Sequence, residues 1–136
     1  MTNVRDFMTK NPITISSESP IQEAARLMRT HDVGLLPVME NGAFRGVVTD
    51  RDIVVKSLAD GRFDDTVGSI VSKSLVTLAP DDDAKKATEL MSTHDVRRLP
   101  VCDGLELVGM VSVGDLATRQ DKKYAGAVME KTGPTS

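Results

Sequence analysis

Displaced by 63 residues, the chain aligns with itself: residues 4–54 match residues 67–117 without a gap, and about 16 of the 51 pairs are identical. Self-similarity at a fixed period outranks local pattern as a fold signal, because each copy must then build the same supersecondary unit. The densest block reads Leu27-Met28-Arg29-Thr30-His31-Asp32-Val33-Gly34-Leu35-Leu36-Pro37-Val38 against Leu90-Met91-Ser92-Thr93-His94-Asp95-Val96-Arg97-Arg98-Leu99-Pro100-Val101. The chain is a duplication. A unit of about 60 residues alone buries too little of its surface to be comfortable, so the two copies are expected to share a core.

Within each copy the local pattern repeats. Ile13-Thr14-Ile15 and Val76-Thr77-Leu78 are short β-branched runs that suit a strand. A helix follows, with Ser19 as N-cap, Pro20 at the first helical position and an apolar face of Ile21, Ala24, Ala25, Leu27 and Met28. In the second copy Asp82 takes the Ser19 position, ahead of Ala84, Ala87, Leu90 and Met91. Leu36-Pro37-Val38 and Leu99-Pro100-Val101 begin the next strand, with Pro suited to an edge or a first position. The turns Glu40-Asn41-Gly42 and Asp103-Gly104 carry hairpin signals. Strands Gly46–Thr49 and Gly109–Ser112 return, each running directly into a second helix, Asp50 to Ala59 and Val113 to about Glu130. The expected fold class is therefore α/β (α+β), a strand-helix-strand-strand-helix unit made twice. The expected boundaries are residues 1–59 for the first repeat, 60–66 for a linker, 67–119 for the second repeat and 120–136 for a helical extension and flexible tail.

Composition removes several functions. Aromatic residues are 3% of the chain and Trp is absent, so base stacking, the usual way to hold single strands, is nearly unavailable. A formal net charge of −3 gives no long-range field for nucleic acid or an anionic membrane. The one cysteine, Cys102, excludes an internal disulfide and a multi-thiolate zinc site, and it reads as a small residue at a strand end. No segment approaches about 18 apolar residues and none resembles a signal peptide, so a cytoplasmic location is expected. His31-Asp32 and His94-Asp95 fall where helices end, where His complements the dipole, and two His without further ligands make a poor metal set. No nucleophile triad, phosphate loop or metalloprotease string occurs, so no catalytic residue is assigned.

Two motifs occur twice, in the same order and at identical spacing. One is the Leu-Pro-Val strand. The other is Gly-x-x-Thr/Ser-x-x-Asp, present as Gly46-Val47-Val48-Thr49-Asp50-Arg51-Asp52 and Gly109-Met110-Val111-Ser112-Val113-Gly114-Asp115. Together they resemble the CBS domain, which occurs in tandem as the Bateman module, over about Val4 to Ala117. The resemblance implies two small sheets face to face, a pseudo-twofold axis and two clefts between the repeats. It also implies a non-catalytic module with AMP, ADP, ATP or S-adenosylmethionine as ligand, frequent pairing into a homodimer, and a separate effector protein. No resident cofactor is required.

Two readings fit the Thr/Ser-x-x-Asp element. As capping boxes, Thr49 with Asp52 and Ser112 with Asp115 need no ligand. As a binding element, the same groups face a cleft at a strand-to-helix turn. A carboxylate repels phosphate but accepts from ribose hydroxyls, which gives Asp52 and Asp115 the sugar, with Thr49 and Ser112 nearby. Phosphate needs cations, and Arg97-Arg98 replace Gly34-Leu35 in the second copy only, with Arg51 as a further cation. Salt bridges on a solvated surface are the alternative role for all three arginines. By the family resemblance Ile13 and Val33 hold adenine opposite Ser112 and Asp115, while Val76 and Val96 hold it opposite Thr49 and Asp52. The two sites are expected to be unequal, the one with Arg97, Thr49, Arg51 and Asp52 the stronger. A competing class is a structural or interaction protein whose last helix, with Leu116, Ala117, Tyr124, Ala125, Val128 and Met129, makes an oligomer contact or covers its own sheet.

Overall fold

The computed structural model describes residues 2–72 and 76–117. In chain order it has β1 (Thr9–Lys10), β2 (Ile15–Ser16), α1 (Ile21–His31), β3 (Leu35–Glu40) and β4 (Ala43–Thr49). Next comes α2, which opens as an α-turn over Asp50–Asp52 and continues as a wide π-turn over Ile53–Ser57 and a 3-10 turn over Leu58–Asp60. The second half has α3 (Ala84–His94), β5 (Arg98–Asp103), β6 (Glu106–Ser112) and α4 (Val113–Ala117). Tyr124, Ala125, Val128 and Met129, and the expected run of the last helix to Glu130, lie outside the described residues.

Two three-stranded sheets form, in the orders β2-β3-β4 and β1-β6-β5. β2 runs parallel to β3, and the other pairs are antiparallel. The second-copy strand expected at Val76-Thr77-Leu78 contracts to one parallel bridge between Leu78 and Val101. Hydrogen bonds from Leu78 N–H to Pro100 O (2.9 Å) and from Cys102 N–H to Leu78 O (2.8 Å) close it.

The compact units are not the sequence repeats. One is Ile13–Leu75; the other joins Met1–Pro12 to Val76–Ser136. Each unit has its own apolar core, completed by the opening of the other repeat. In the first, Ile15, Ile21, Ala24, Met28, Leu36, Val38 and Val48 pack with Val67 and Ile70. In the second, Val4 and Phe7 pack with residues of α3, β5, β6 and α4, including a fully buried Leu116. Sharing between the copies, expected because a lone unit is too small, takes the form of exchanged opening segments. Short 3-10 turns at Val4–Asp6 and Val67–Ser69 carry the two buried valines.

The exchange is fastened at the motif glycines. Ser72 and Val47 exchange backbone hydrogen bonds of 2.8 and 3.2 Å, while β1 pairs Thr9 with Met110 and Lys10 with Gly109. A Cβ on Gly46 would lie 2.3 Å from Ser72 O, and one on Gly109 would lie 2.5 Å from Met8 Sδ and 2.9 Å from Thr9 O. No side chain fits either place. A register shift between Val38 and Met39, and its counterpart between Val101 and Cys102, leaves Arg45 and Val108 as extra residues directly before these glycines.

The local signals are mostly where the sequence puts them, with one-residue corrections and one larger one: Pro37, expected at an edge or a first position, is third in β3, the middle strand of its sheet. Asn41 (φ 53°) and Gly42 (φ 80°) form the two-residue hairpin with both central residues left-handed, as a type I′ turn requires. In the second hairpin Asp103 still belongs to β5, and the loop is Gly104-Leu105 with only Gly104 left-handed. The helices also start one residue later than expected. Pro20 is the N-cap of α1 without a side-chain bond, and Asp83 caps α3 by accepting from Lys86 N–H at 2.8 Å. Ser19 is drawn elsewhere, its carbonyl accepting from Val67 N–H of the exchanged segment at 2.8 Å. Asp82 instead accepts from Ala79 N–H at 2.8 Å.

Both long helices end alike. Asp32 (φ 52°) and Asp95 (φ 55°) turn left-handed, and Val33 and Val96 N–H reach back to Met28 and Met91 O at 3.0 Å, the six-to-one bond of a Schellman close.

Two stability outcomes are expected. Gly46→Ala forces a methyl against the Ser72 carbonyl and should destabilise the chain by about 1–3 kcal/mol or more in urea unfolding. Asp32→Gly relieves a left-handed residue and removes a carboxylate from a helix C-terminus, which should raise stability by about 0.5–1 kcal/mol in the same measurement.

Candidate functional site

Where β4 gives way to α2, the chain changes from extended backbone at Thr49 (φ −115°, ψ 163°) to helical turns. The first N–H groups of such a helix lack partners, and a hydroxyl and a carboxylate three residues apart can satisfy two of them. Thr49 Oγ1 accepts from Asp52 N–H at 3.0 Å, and Asp52 Oδ2 accepts from Thr49 N–H at 3.0 Å. The second unit builds the same pair. Ser112 Oγ accepts from Asp115 N–H at 3.1 Å, and Asp115 Oδ2 accepts from Ser112 N–H at 2.8 Å. Capping is therefore formed at both motifs.

Capping uses only one oxygen of Asp52. Ser72 Oγ, on the exchanged segment, also reaches Oδ2 at 3.4 Å. Lys56 Nζ sits 3.2 Å from Oδ1 and donates to Ser72 Oγ at 3.4 Å. The Asp52 side chain is 12% exposed and that of Lys56 45%. A nearly buried carboxylate is thus held by a backbone amide, a hydroxyl and an ammonium. The sequence reading missed Lys56 and Ser72. An acid four residues ahead of a base was a readable helical pair, whereas Ser72 comes from an exchange that no local pattern announces.

The other predicted residues divide between the units. Ile13–Leu75 contains Ile13, which is 43% exposed, a half-buried Val33, Thr49, the exposed Arg51, and Asp52. The other unit contains the half-buried Val76, Val96 and Arg97, the exposed Arg98, Ser112 and Asp115. Val33 and Val76, with Val96, also pack on the edges of their own cores. In the second unit strand register sets Arg98 opposite Ser112, and Val113 N–H donates to Arg97 O at 3.0 Å. Both arginines therefore stand beside the Ser112 to Asp115 turn. The equivalent bond in the first unit runs from Asp50 N–H to Gly34 O at 2.9 Å, and a Cβ at Gly34 would come within 2.9 Å of Asp50 Oδ2.

An open surface hollow at the start of α3, lined by Asp81, Asp82, Asp83, Lys85, Lys86, Glu89 and Leu90, contains none of the predicted site residues. Cys102 is buried, and burial pushes its thiol pKa up to about 11, so at neutral pH it is a protonated packing group. Among the described residues no cluster of His, Cys, Asp or Glu is suited to hold a metal ion, and no helix is long and apolar enough to cross a membrane.

The paired motif now has the fold to match it, and the CBS-domain family model covers residues 4–58 and again residues 67–122. The chain belongs to the CBS-domain family. This CBS pair is 45% identical over 131 residues to the CBS domain-containing protein YhcV of Bacillus subtilis, covering 95% of this chain and 94% of that one. It is 34% identical over 120 residues to hypoxic response protein 1 of Mycobacterium tuberculosis, covering 86% and 84% of the two chains. A crystal structure of that protein, with two coordinated zinc ions, matches this fold with a TM-score of 0.78 over 87% of this chain and 98% of the other. The CBS pair of protein MJ0100, in complex with 5′-methylthioadenosine and S-adenosyl-L-methionine, matches with a TM-score of 0.76 at 29% identity, covering 93% and 98%. CBSX2 in complex with AMP matches with a TM-score of 0.77 at 25% identity, covering 87% and 95%.

If the Thr49 hydroxyl is a cap, Thr49→Ala should cost about 0.5–2 kcal/mol in urea unfolding, with Ser112→Ala costing a similar amount. Unchanged midpoints would assign the hydroxyls no capping role.

Proposed function

We propose that this CBS pair is a non-catalytic regulatory module that binds an adenine nucleotide or adenosyl compound at its Thr/Ser-x-x-Asp turns. The observation that carries the reading is the Asp52 carboxylate. One of its oxygens is committed to the helix cap, and the other stands beside a cation at a strand-to-helix turn. A ribose diol needs a carboxylate acceptor of this kind, and the relatives bound to AMP, S-adenosylmethionine and methylthioadenosine support the adenosine part.

In this reading Asp52 and Asp115 accept from ribose hydroxyls, with Thr49 and Ser112 beside them. Arg51, Arg97 and Arg98 are cations for phosphate, and Ile13, Val33, Val76 and Val96 offer apolar contact to adenine. Bound ligand acts by preferring one arrangement of the protein over another, since only differential affinity shifts a conformational equilibrium. The output then passes through a homodimer or a separate effector protein in the cytoplasm. Val54, Val55 and Leu58, 54%, 52% and 52% exposed on α2, support self-association through that face. The same face supports a second reading, a protein-interaction CBS pair without a nucleotide.

Thermal unfolding with AMP, ADP, ATP, NAD(H) and S-adenosylmethionine separates the two. A ligand at about 100 times its Kd should add about 2.7 kcal/mol to the stability of the folded state. No shift with any of them at millimolar concentration would leave only the interaction reading. Where a ligand does bind, Asp52→Ala is expected to weaken it more than Asp115→Ala, and the reverse order would refute the preference for the Asp52 side.

A further inference from the structure

We infer that Lys56 is a specificity-determining residue, exchanging the Asp52 carboxylate for a ligand phosphate, so that this chain selects an anionic adenine nucleotide over an uncharged or cationic adenosyl compound. The inference rests on the adenine-ligand reading above. Asp52 Oδ2 already accepts from Thr49 N–H at 3.0 Å and from Ser72 Oγ at 3.4 Å. Oδ1 is therefore the oxygen left for a ribose diol, and it is the one Lys56 Nζ holds at 3.2 Å. A ribose arriving at Asp52 must displace the ammonium or share the carboxylate with it.

The ammonium has a way to move. Lys56 is 45% exposed at the side chain, its stem has four rotatable carbons, and its second contact, Ser72 Oγ at 3.4 Å, is a weak one. It also lies in the π-turn Ile53–Ser57 rather than in regular α-helix, and such turns recur at functional sites. The 5′-phosphate of a nucleotide sits one sugar ring from the diol. A displaced Lys56 recovers its lost ion pair by meeting that phosphate, and the charge-assisted bond compensates for the one broken at Asp52. Adenosine offers no such compensation, and the sulfonium of S-adenosylmethionine repels the freed ammonium. In the sequence, the displacement of 63 residues brings Arg119 to the position of Lys56, so both copies keep a cation four residues after the motif Asp. Arg119 lies outside the described residues.

Calorimetric titration of the full chain with adenosine, AMP and S-adenosylmethionine tests the inference in the wild type, Lys56→Met and Lys56→Arg, with circular dichroism to confirm folding. The wild type should bind AMP about tenfold or more tightly than adenosine, a ratio within reach of one charge-assisted contact. Lys56→Met should lower that ratio severalfold by weakening AMP while leaving adenosine equal or tighter, and should narrow the preference for AMP over S-adenosylmethionine. Lys56→Arg should keep the ratio. Nucleotide binding by the wild type with the same AMP to adenosine ratio in Lys56→Met would overturn this inference and leave the adenine reading standing. Binding of none of the three compounds to any of the proteins would overturn both.

Discussion

The structure depends on two places where one backbone lies directly against another. At Gly46 and Gly109 the opening segment of the opposite repeat comes so close that a single methyl group would collide with it. That contact lets Ser72 pair with Val47 and β1 pair with β6. It also brings Val67 and Ile70 into one core, and Val4 and Phe7 into the other. Without these four side chains each unit would have to close a small core from a single repeat, which chains of this length do with difficulty. The preceding bulges at Arg45 and Val108 turn the strand just before each glycine, so the close approach and the local kink belong to one device.

The same device positions the candidate site residues. Ser72 is fixed by its backbone bonds to Val47, and its hydroxyl consequently reaches Asp52. The motif glycine, the motif hydroxyl and the motif aspartate thus have three distinct jobs along seven residues. The glycine admits a foreign segment, the hydroxyl caps the helix, and the aspartate caps as well, with the other Asp52 oxygen paired to Lys56. At Asp52 capping takes Oδ2, while Oδ1 faces Lys56 and not the cap. This is why finding both capping boxes formed leaves the binding reading intact.

Much of this was legible in the residues. The duplication, the order of elements and the Asn41-Gly42 turn follow from identity at a fixed displacement, hydrophobic period and turn chemistry. Helix starts were displaced by one residue, because Ser19 and Pro20, like Asp82 and Asp83, are all acceptable near a helix start. A tertiary partner, Val67, decided the matter for Ser19, and a local turn bond from Ala79 N–H decided it for Asp82. The exchange of openings was not legible, since a repeat has no intrinsic beginning and a valine at position 4 looks the same whichever core receives it. Arg97 and Arg98 stand out as cations in the sequence because they differ between copies. Lys56 does not stand out in the same way, because its place beside a nearly buried carboxylate is set by the fold alone.

Amide NMR of the labelled full chain titrated with AMP tests the central claim, that ligand is received at the Asp52 turn, most directly. Saturable shifts should concentrate at Thr49, Asp52, Lys56 and Ser72, with Ser72 reporting through its hydroxyl contact although it lies on a different segment. Shifts confined to the hollow between Asp81 and Leu90, or none up to millimolar AMP, would contradict it.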